Sequence, residues 1–134
     1  MKAKDLTDAV RLRLVIAPGI AFGPGKADLL EAVGETGSIA AASRRMRMSY
    51  KRAWQLVDEL NRIFDVPLVA ASKGGSGGGG ASLTKAGADV LARYRRMHAG
   101  CCAAVVNDLS ALHRHRSSAA DSAKKKSTRK RDSI

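Results

Sequence analysis

Several things are scarce in this chain. Its 134 residues hold two cysteines, Cys101 and Cys102, and these are adjacent. Neighbouring cysteines rarely bridge each other, so a disulfide framework is excluded and a reducing, cytoplasmic (nucleoid) setting is expected. Aromatic residues make up only 4% of the chain against an apolar fraction of 45%. Ala, Leu and Val must therefore do most of the packing, which suits helices in close approach. No run nears the roughly 20 apolar residues of a membrane span, so no membrane partner is expected. Export is rejected as well. Lys2 and Lys4 precede an apolar stretch, but Arg11 and Arg13 interrupt it and Pro18-Gly19 ends it early.

Acidic residues are few, at 12 Asp/Glu against 24 Lys/Arg, which leaves a formal charge of +12. A surplus of that size favours polyanions, chiefly nucleic acid, with an anionic membrane as the weaker alternative. The charge is spread over two parts of the chain. Residues 113–134 carry eight Lys/Arg against two Asp with almost no apolar bulk, and residues 1–112 are basic in their own right. The first segment cannot bury enough surface to offset its ordering entropy. The expected organisation is one domain over 1–112 and a disordered basic tail over 113–134.

Within the domain the patterns are regular. Val10, Leu12, Leu14 and Ile16 alternate with Arg11, Arg13 and Val15, the period of a strand with one buried face. After breakers at Pro18, Gly19, Gly23, Pro24 and Gly25, a helix is expected over about Lys26 to Glu35, with Gly37 just past its end. Ser38 is a suitable N-cap for a short helix from Ile39 to about Met46, and Ser49 for a third. In the third, Ala53, Trp54, Val57, Leu60 and Phe64 recur at helical spacing and form the expected buried stripe. Pro67 ends it. Leu68–Ala71 and Ala81–Leu83 are then strands of a hairpin wing around the glycine-rich segment 74–80. Thr84 caps a last helix, Lys85 to about Leu112. Its stripe of Val90, Tyr94, Met97, Cys101, Val105, Leu109 and Leu112 would run on the order of 40 Å. That is more than so small a body covers, and a second copy of the chain is the expected cover, so these residues are the candidate dimer interface.

The fold expected is α+β and mainly α: a winged helix-turn-helix with an N-terminal strand, a β-hairpin wing and a long C-terminal dimerisation helix. The stretch from Thr36 to Asn61 is its centre. Between Ser43 and Arg52 it holds five basic residues and no acidic one, laid out as a short helix bracing a second. That is how a helix-turn-helix presents a helix to the major groove of double-stranded DNA.

The residues Gly37-Ser38-Ile39, Met48-Ser49-Tyr50-Lys51, Ala53-Trp54, Glu59-Leu60-Asn61, Leu68-Val69, Gly74-Gly75, Gly77 to Ala81, and Leu83-Thr84 with Gly87 resemble a known family. It is the N-terminal domain of the ModE family of molybdate-responsive transcriptional regulators, and the likeness covers about residues 10 to 112. The Gly-Ser-Ile piece is also similar to the LysR-type helix-turn-helix. The resemblance implies a dimer formed through the closing helix and first strand, with the third helix in the major groove. On that mapping Ser49, Tyr50, Lys51, Arg52 and Gln55 face DNA, while Ala53 and Trp54 face the core. Ser49 and Tyr50 suit phosphates at the helix N-terminus, and Lys51, Arg52 and Gln55 suit base edges. Arg44, Arg45 and Arg47 suit phosphates beside the bracing helix, and Ser38 at its cap joins them. Lys73 and Ser76 would follow the backbone from the wing. The family's full-length form continues into molybdate-binding modules, whereas this chain runs into the basic tail, so a reading head without its own molybdate sensor is expected and its effector is left open.

Other chemistries fit less well. The glycine segment lacks the Lys-Ser/Thr of a phosphate-binding loop and sits in a hairpin, so no nucleotide cofactor is expected. His98, Cys101 and Cys102 lie within about one helical turn, but the spaced ligand pairs of a zinc site are missing. A metal- or oxyanion-responsive sensor is therefore a minor alternative, with Cys101 read as a seam residue and Cys102 as half exposed. A nucleoid-associated DNA-coating protein is the main alternative. No Ser, His and acid set supports catalysis, and no enzyme is expected. Asp58, Glu59 and Asp65 serve to balance charge.

Overall fold

The computed structural model describes residues 3–72 and 79–120. Nine elements follow in order: α1 (Ala3–Ala9), β1 (Leu14–Ala17), β2 (Ile20–Phe22), α2 (Pro24–Thr36), α3 (Ile39–Arg45), α4 (Tyr50–Ile63), β3 (Val69–Ser72), β4 (Gly80–Leu83) and α5 (Lys85–His115). The two sheets are separate antiparallel hairpins, β1–β2 and β3–β4. This is the winged helix-turn-helix expected, with two additions at its N-terminal end.

Helices α2, α3 and α4 form the centre, and their boundaries follow from caps. Gly37 takes φ 79°, ends α2 and donates its N–H to Val33 O. Ser38 Oγ accepts from Ala41 N at 2.9 Å and Ser49 Oγ from Arg52 N at 3.0 Å, each satisfying an amide that the first turn leaves free. Leu29, Leu30, Val33, Ala42, Ala53 and Leu60 are fully buried where the three helices meet. Alanine at positions 42 and 53 lets α3 and α4 pack closely, as the shortage of aromatics demands.

The wing is pinned to this centre by polar contacts from Asn61 and Gly37. Asn61 on α4 accepts from Leu68 N (2.8 Å) and Val69 N (3.1 Å) and donates to Val69 O (3.0 Å). Ala81 N on β4 donates to Gly37 O at 2.8 Å. Strands β3 and β4 pair in register from Val69 opposite Leu83 to Ser72 opposite Gly80. Glu59 is drawn inward, where Lys26 Nζ reaches it at 2.6 Å and also donates to Ala21 O.

Two elements at the N-terminal end were not expected. The alternating segment is a shorter strand, Leu14–Ala17, and it folds back through Pro18 and Gly19 (φ 74°) onto β2. The register slips between Val15 and Ala17, so the alternation fails there and both Val15 (67%) and Ile16 (41%) are exposed. Helix α1 is only seven residues long, too short to be stable alone, and lies against α5. Three α5 side chains four residues apart hold this N-terminal segment by its carbonyls. Tyr94 Oη donates to Leu12 O at 2.7 Å, His98 Nε2 lies 2.6 Å from Val10 O, and Cys102 Sγ lies 3.7 Å from Leu6 O.

That arrangement corrects the expected seam. Tyr94 is 1% exposed, packs edge-on to Phe22 with centroids 5.1 Å apart, and belongs to the protomer's core. Burial pushes its hydroxyl above the ordinary tyrosine range. Val90 packs half-buried against the same core. Cys102 is the buried cysteine and Cys101 the half-buried one, the reverse of the expectation, because the N-terminal segment covers the Cys102 side. Helix α5 also runs to His115 rather than Leu112. Residues 121–134 of the expected tail lie outside the described residues, and among the described residues no helix is long and apolar enough to cross a membrane.

Candidate nucleic-acid interface

The site is built on α4 and the turn before it. With about 100° per residue, Ala53, Val57 and Leu60 fall on one side of α4 and are buried. Lys51, Arg52 and Gln55 fall on the opposite side and are exposed, as is Ser49 at the cap. The first turn has no acidic residue. Free amides, a hydroxyl and two cations therefore converge at the positive end of the helix, an arrangement suited to an anion.

The turn between α3 and α4 has a geometry of its own. Met48 N donates to Ser43 O (3.0 Å) and Arg47 N to Arg44 O (3.2 Å), the paired bonds of a Schellman closure. Its left-handed position, where glycine is the usual choice, is held by Arg47 at φ 54°. That is the one non-glycine positive φ among the described residues. The conformation costs an L-residue roughly 1 kcal/mol or more. A basic side chain is thus kept, exposed, directly beside the start of α4.

The remaining expected residues sort as follows. Arg44 is exposed, whereas Arg45 is tied to Glu35 by an ion pair, which lowers the charge it can offer a phosphate. Ser38 is half-buried and its oxygen is used in capping. Lys73 and Ser76 lie outside the described residues. The expected charge-balancing role fits Asp58, which pairs with Arg62 at 2.9 Å.

Trp54 departs from expectation. It is 49% exposed rather than in the core, and Tyr50 one turn earlier is 56% exposed. Both line an open groove of about 500 Å³ between α4 and the wing strands. Trp54 stands about 100° round the helix from Ala53, off the edge of the buried stripe. Spacing of three and four residues does not separate the edge of a stripe from its middle. Sequence reasoning also missed Arg47's conformation, for which the lack of glycine after α3 gave no cue.

The chain has known likenesses over a stretch that includes this region. Residues 26–88 match the model of the bacterial regulatory helix-turn-helix proteins of the LysR family. The chain is 45% identical over 82 residues to the molybdenum-pterin-binding protein MopB of Rhodobacter capsulatus, covering 61% of this chain and 30% of that protein. It is 38% identical over 87 residues to the molybdenum transport protein ModE of Azotobacter vinelandii, covering 65% and 32%. The crystal structure of the CbnR DNA-binding domain in complex with DNA superposes with a TM-score of 0.52 at 25% identity, over 65% of this chain and 94% of that one. The domain is a ModE-like winged helix-turn-helix. The matched part is about a third of the length of these curated relatives. In this domain Asn61, Thr84 and Gly87 are structural. They fix the wing and α5, and leave the exposed start of α4 as the part available to a ligand.

The sensor alternative has a geometry too. Cys102 Sγ lies 3.7 Å from His98 Nε2, but that nitrogen is engaged by Val10 O. Among the described residues, no group of three or more His, Cys, Asp and Glu is placed to hold a metal ion.

Proposed function

We propose that the chain is a sequence-specific transcriptional regulator of ModE type that binds double-stranded DNA as a homodimer, with α4 in the major groove. The observation that carries this is the division of α4 itself. Ala53, Val57 and Leu60 are buried, while Ser49, Tyr50, Lys51, Arg52 and Gln55 stand open at its amino end. Lys51, Arg52 and Gln55 serve as base readers, Arg or Lys on guanine and Gln on adenine. Arg44 and Arg47, with Ser49, hold phosphates and set the register. The wing residues Lys73 and Ser76 add backbone contacts.

The dimer surface in this reading is the part of α5 that the N-terminal segment leaves open, together with the β1 hairpin. Met97 (44%), Val105 (37%) and Leu112 (66%) are exposed there, as are Val15 and Ile16 on β1. Cys101 and Leu109, both half-buried, complete it. Apolar side chains of this size left in water favour a partner copy.

Selection of bound duplexes from a random-sequence pool, followed by competition with bulk DNA at fixed salt, tests the reading. A recurrent two-fold-related motif that outcompetes bulk DNA is expected. Equal competition by all sequences would favour the DNA-coating alternative, which the +12 charge also suits.

A further inference from the structure

We propose that Trp54 contacts DNA, gripping with Tyr50 the sugar–phosphate strand that passes between α4 and the wing. The proposal rests on the DNA-binding reading above and adds to it a residue that its sequence position assigned to the core. Three observations carry it.

The first is where the aromatic surface is spent. The chain has one Trp, two Tyr and two Phe. Phe22 and Tyr94 are buried and Phe64 packs half-buried on the core. The two that remain exposed stand one turn apart on one flank of α4. A protein this poor in aromatics gains no core from them, and side chains of this kind are the ones enriched at binding surfaces. Among the described residues, neither the Trp54 indole N–H nor the Tyr50 hydroxyl has a hydrogen-bond partner.

The second is the shape beside them. The groove they line has Ile39 on one side and Val69, Ala71 and Gly79 on the other. The wing side is thus made of small residues and leaves space above the strands. The third is direction. Lys51, Arg52 and Gln55 point away from the core, and Trp54 lies on the flank between that outward face and the wing. Elements in two adjacent grooves of a duplex must straddle the backbone strand that separates them. With α4 in the major groove and the wing at the next minor groove, that strand runs over Tyr50 and Trp54. The indole face covers deoxyribose, and the indole N–H and Tyr50 hydroxyl donate to phosphate oxygens, since the indole nitrogen can only donate. Asp58 also lines the groove and would repel a phosphate, but Arg62 pairs with it at 2.9 Å.

Trp54 is the single tryptophan, so its emission reports the contact directly. Duplex selected by the protein and a random-sequence duplex, both labelled, are titrated with the full chain, with anisotropy reporting complex formation. The indole emission is expected to change in step with anisotropy. Trp54→Ala is expected to weaken binding to both duplexes alike, by about tenfold, the loss of a charge-assisted bond and its packing. Trp54→Phe, which keeps a flat face and drops the N–H, falls between. Because Trp54 is half-exposed, the thermal unfolding midpoint of each variant should match the parent. Unchanged emission in a complex that anisotropy shows to be formed would overturn the assignment alone. So would Trp54→Ala binding within about twofold of the parent, or a loss confined to the selected duplex, which would make Trp54 a base reader. If the parent binds neither duplex, the DNA reading falls and this assignment with it.

Discussion

The starts of α4 and α5 are built alike and end up opposite in character. Each begins with a hydroxyl side chain in extended backbone that accepts an amide from the first turn, Ser49 from Arg52 N and Thr84 from Gly87 N. At α5 the cap is also fastened outward. Thr84 Oγ1 donates to Pro67 O at 2.6 Å, and Thr84 N donates to Leu68 O at 2.9 Å. Gly87 sits so close to Leu68 that an added Cβ would lie 2.1 Å from its carbonyl oxygen. At α4 nothing covers the cap, and the residues behind it are Tyr50, Lys51 and Arg52, all exposed. One helix start has been given to holding the fold together. The other is left with its amides and cations facing outward, and that is the difference between a structural helix end and one available to an anion.

Gly87→Ala should show the contrast at its largest. The neighbour that a new methyl meets is main chain, which cannot turn aside. About 3 kcal/mol or more of stability should be lost, lowering Tm by roughly 10 °C or more in thermal unfolding followed by circular dichroism. No substitution on the exposed side of α4 should approach that. Arg52→Ala should leave Tm unchanged and instead flatten sequence preference, removing about 1–3 kcal/mol of discrimination at the base pairs it reads, as measured by binding to single-base variants of the selected site.

These two positions also show where the sequence was legible. Caps are local chemistry, so Ser38, Ser49 and Thr84 placed the starts of α3, α4 and α5, and Gly37 the end of α2, to within a few residues. The wing was readable from Pro67 and the glycine segment. What failed depended on long-range contacts. Helix α1 exists because α5 accommodates it 96 residues away along the chain, and no seven-residue pattern announces that. Strand β2 was hidden by the breakers that form its turn. Trp54 was misplaced because a helical stripe has edges that spacing alone does not locate. Tyr94 was misassigned to a partner because its stripe continues smoothly into residues that are exposed.

The two caps themselves give a smaller test. Thr84→Ala loses both the amide bond and the bond to Pro67 O and should cost about 2 kcal/mol, whereas Ser49→Ala should cost about 1 kcal/mol or less. Equal losses would mean that the outward fastening of α5 contributes nothing. The smallest effect expected is at the turn between α3 and α4. Arg47→Gly relieves an unfavourable left-handed conformation and should raise stability by up to about 1 kcal/mol, less what glycine adds to the freedom of the unfolded chain. The same change should weaken binding to every duplex and lower the salt dependence by about one phosphate contact. A variant that is more stable yet binds less well would show that the turn is kept for its ligand.

The ladder of Tyr94, His98 and Cys102 has a consequence for the proposed homodimer. Each step of four residues along α5 advances about 6 Å, so the three side chains act as a ruler against which the segment from Leu6 to Leu12 is laid. One side of the longest helix is thereby sealed by its own chain, in a fixed register. In the proposed homodimer a second copy would approach only from the sides that remain, and the relative angle of its two DNA-binding faces along a duplex would then be set by seven residues near the start of the chain, far from any base.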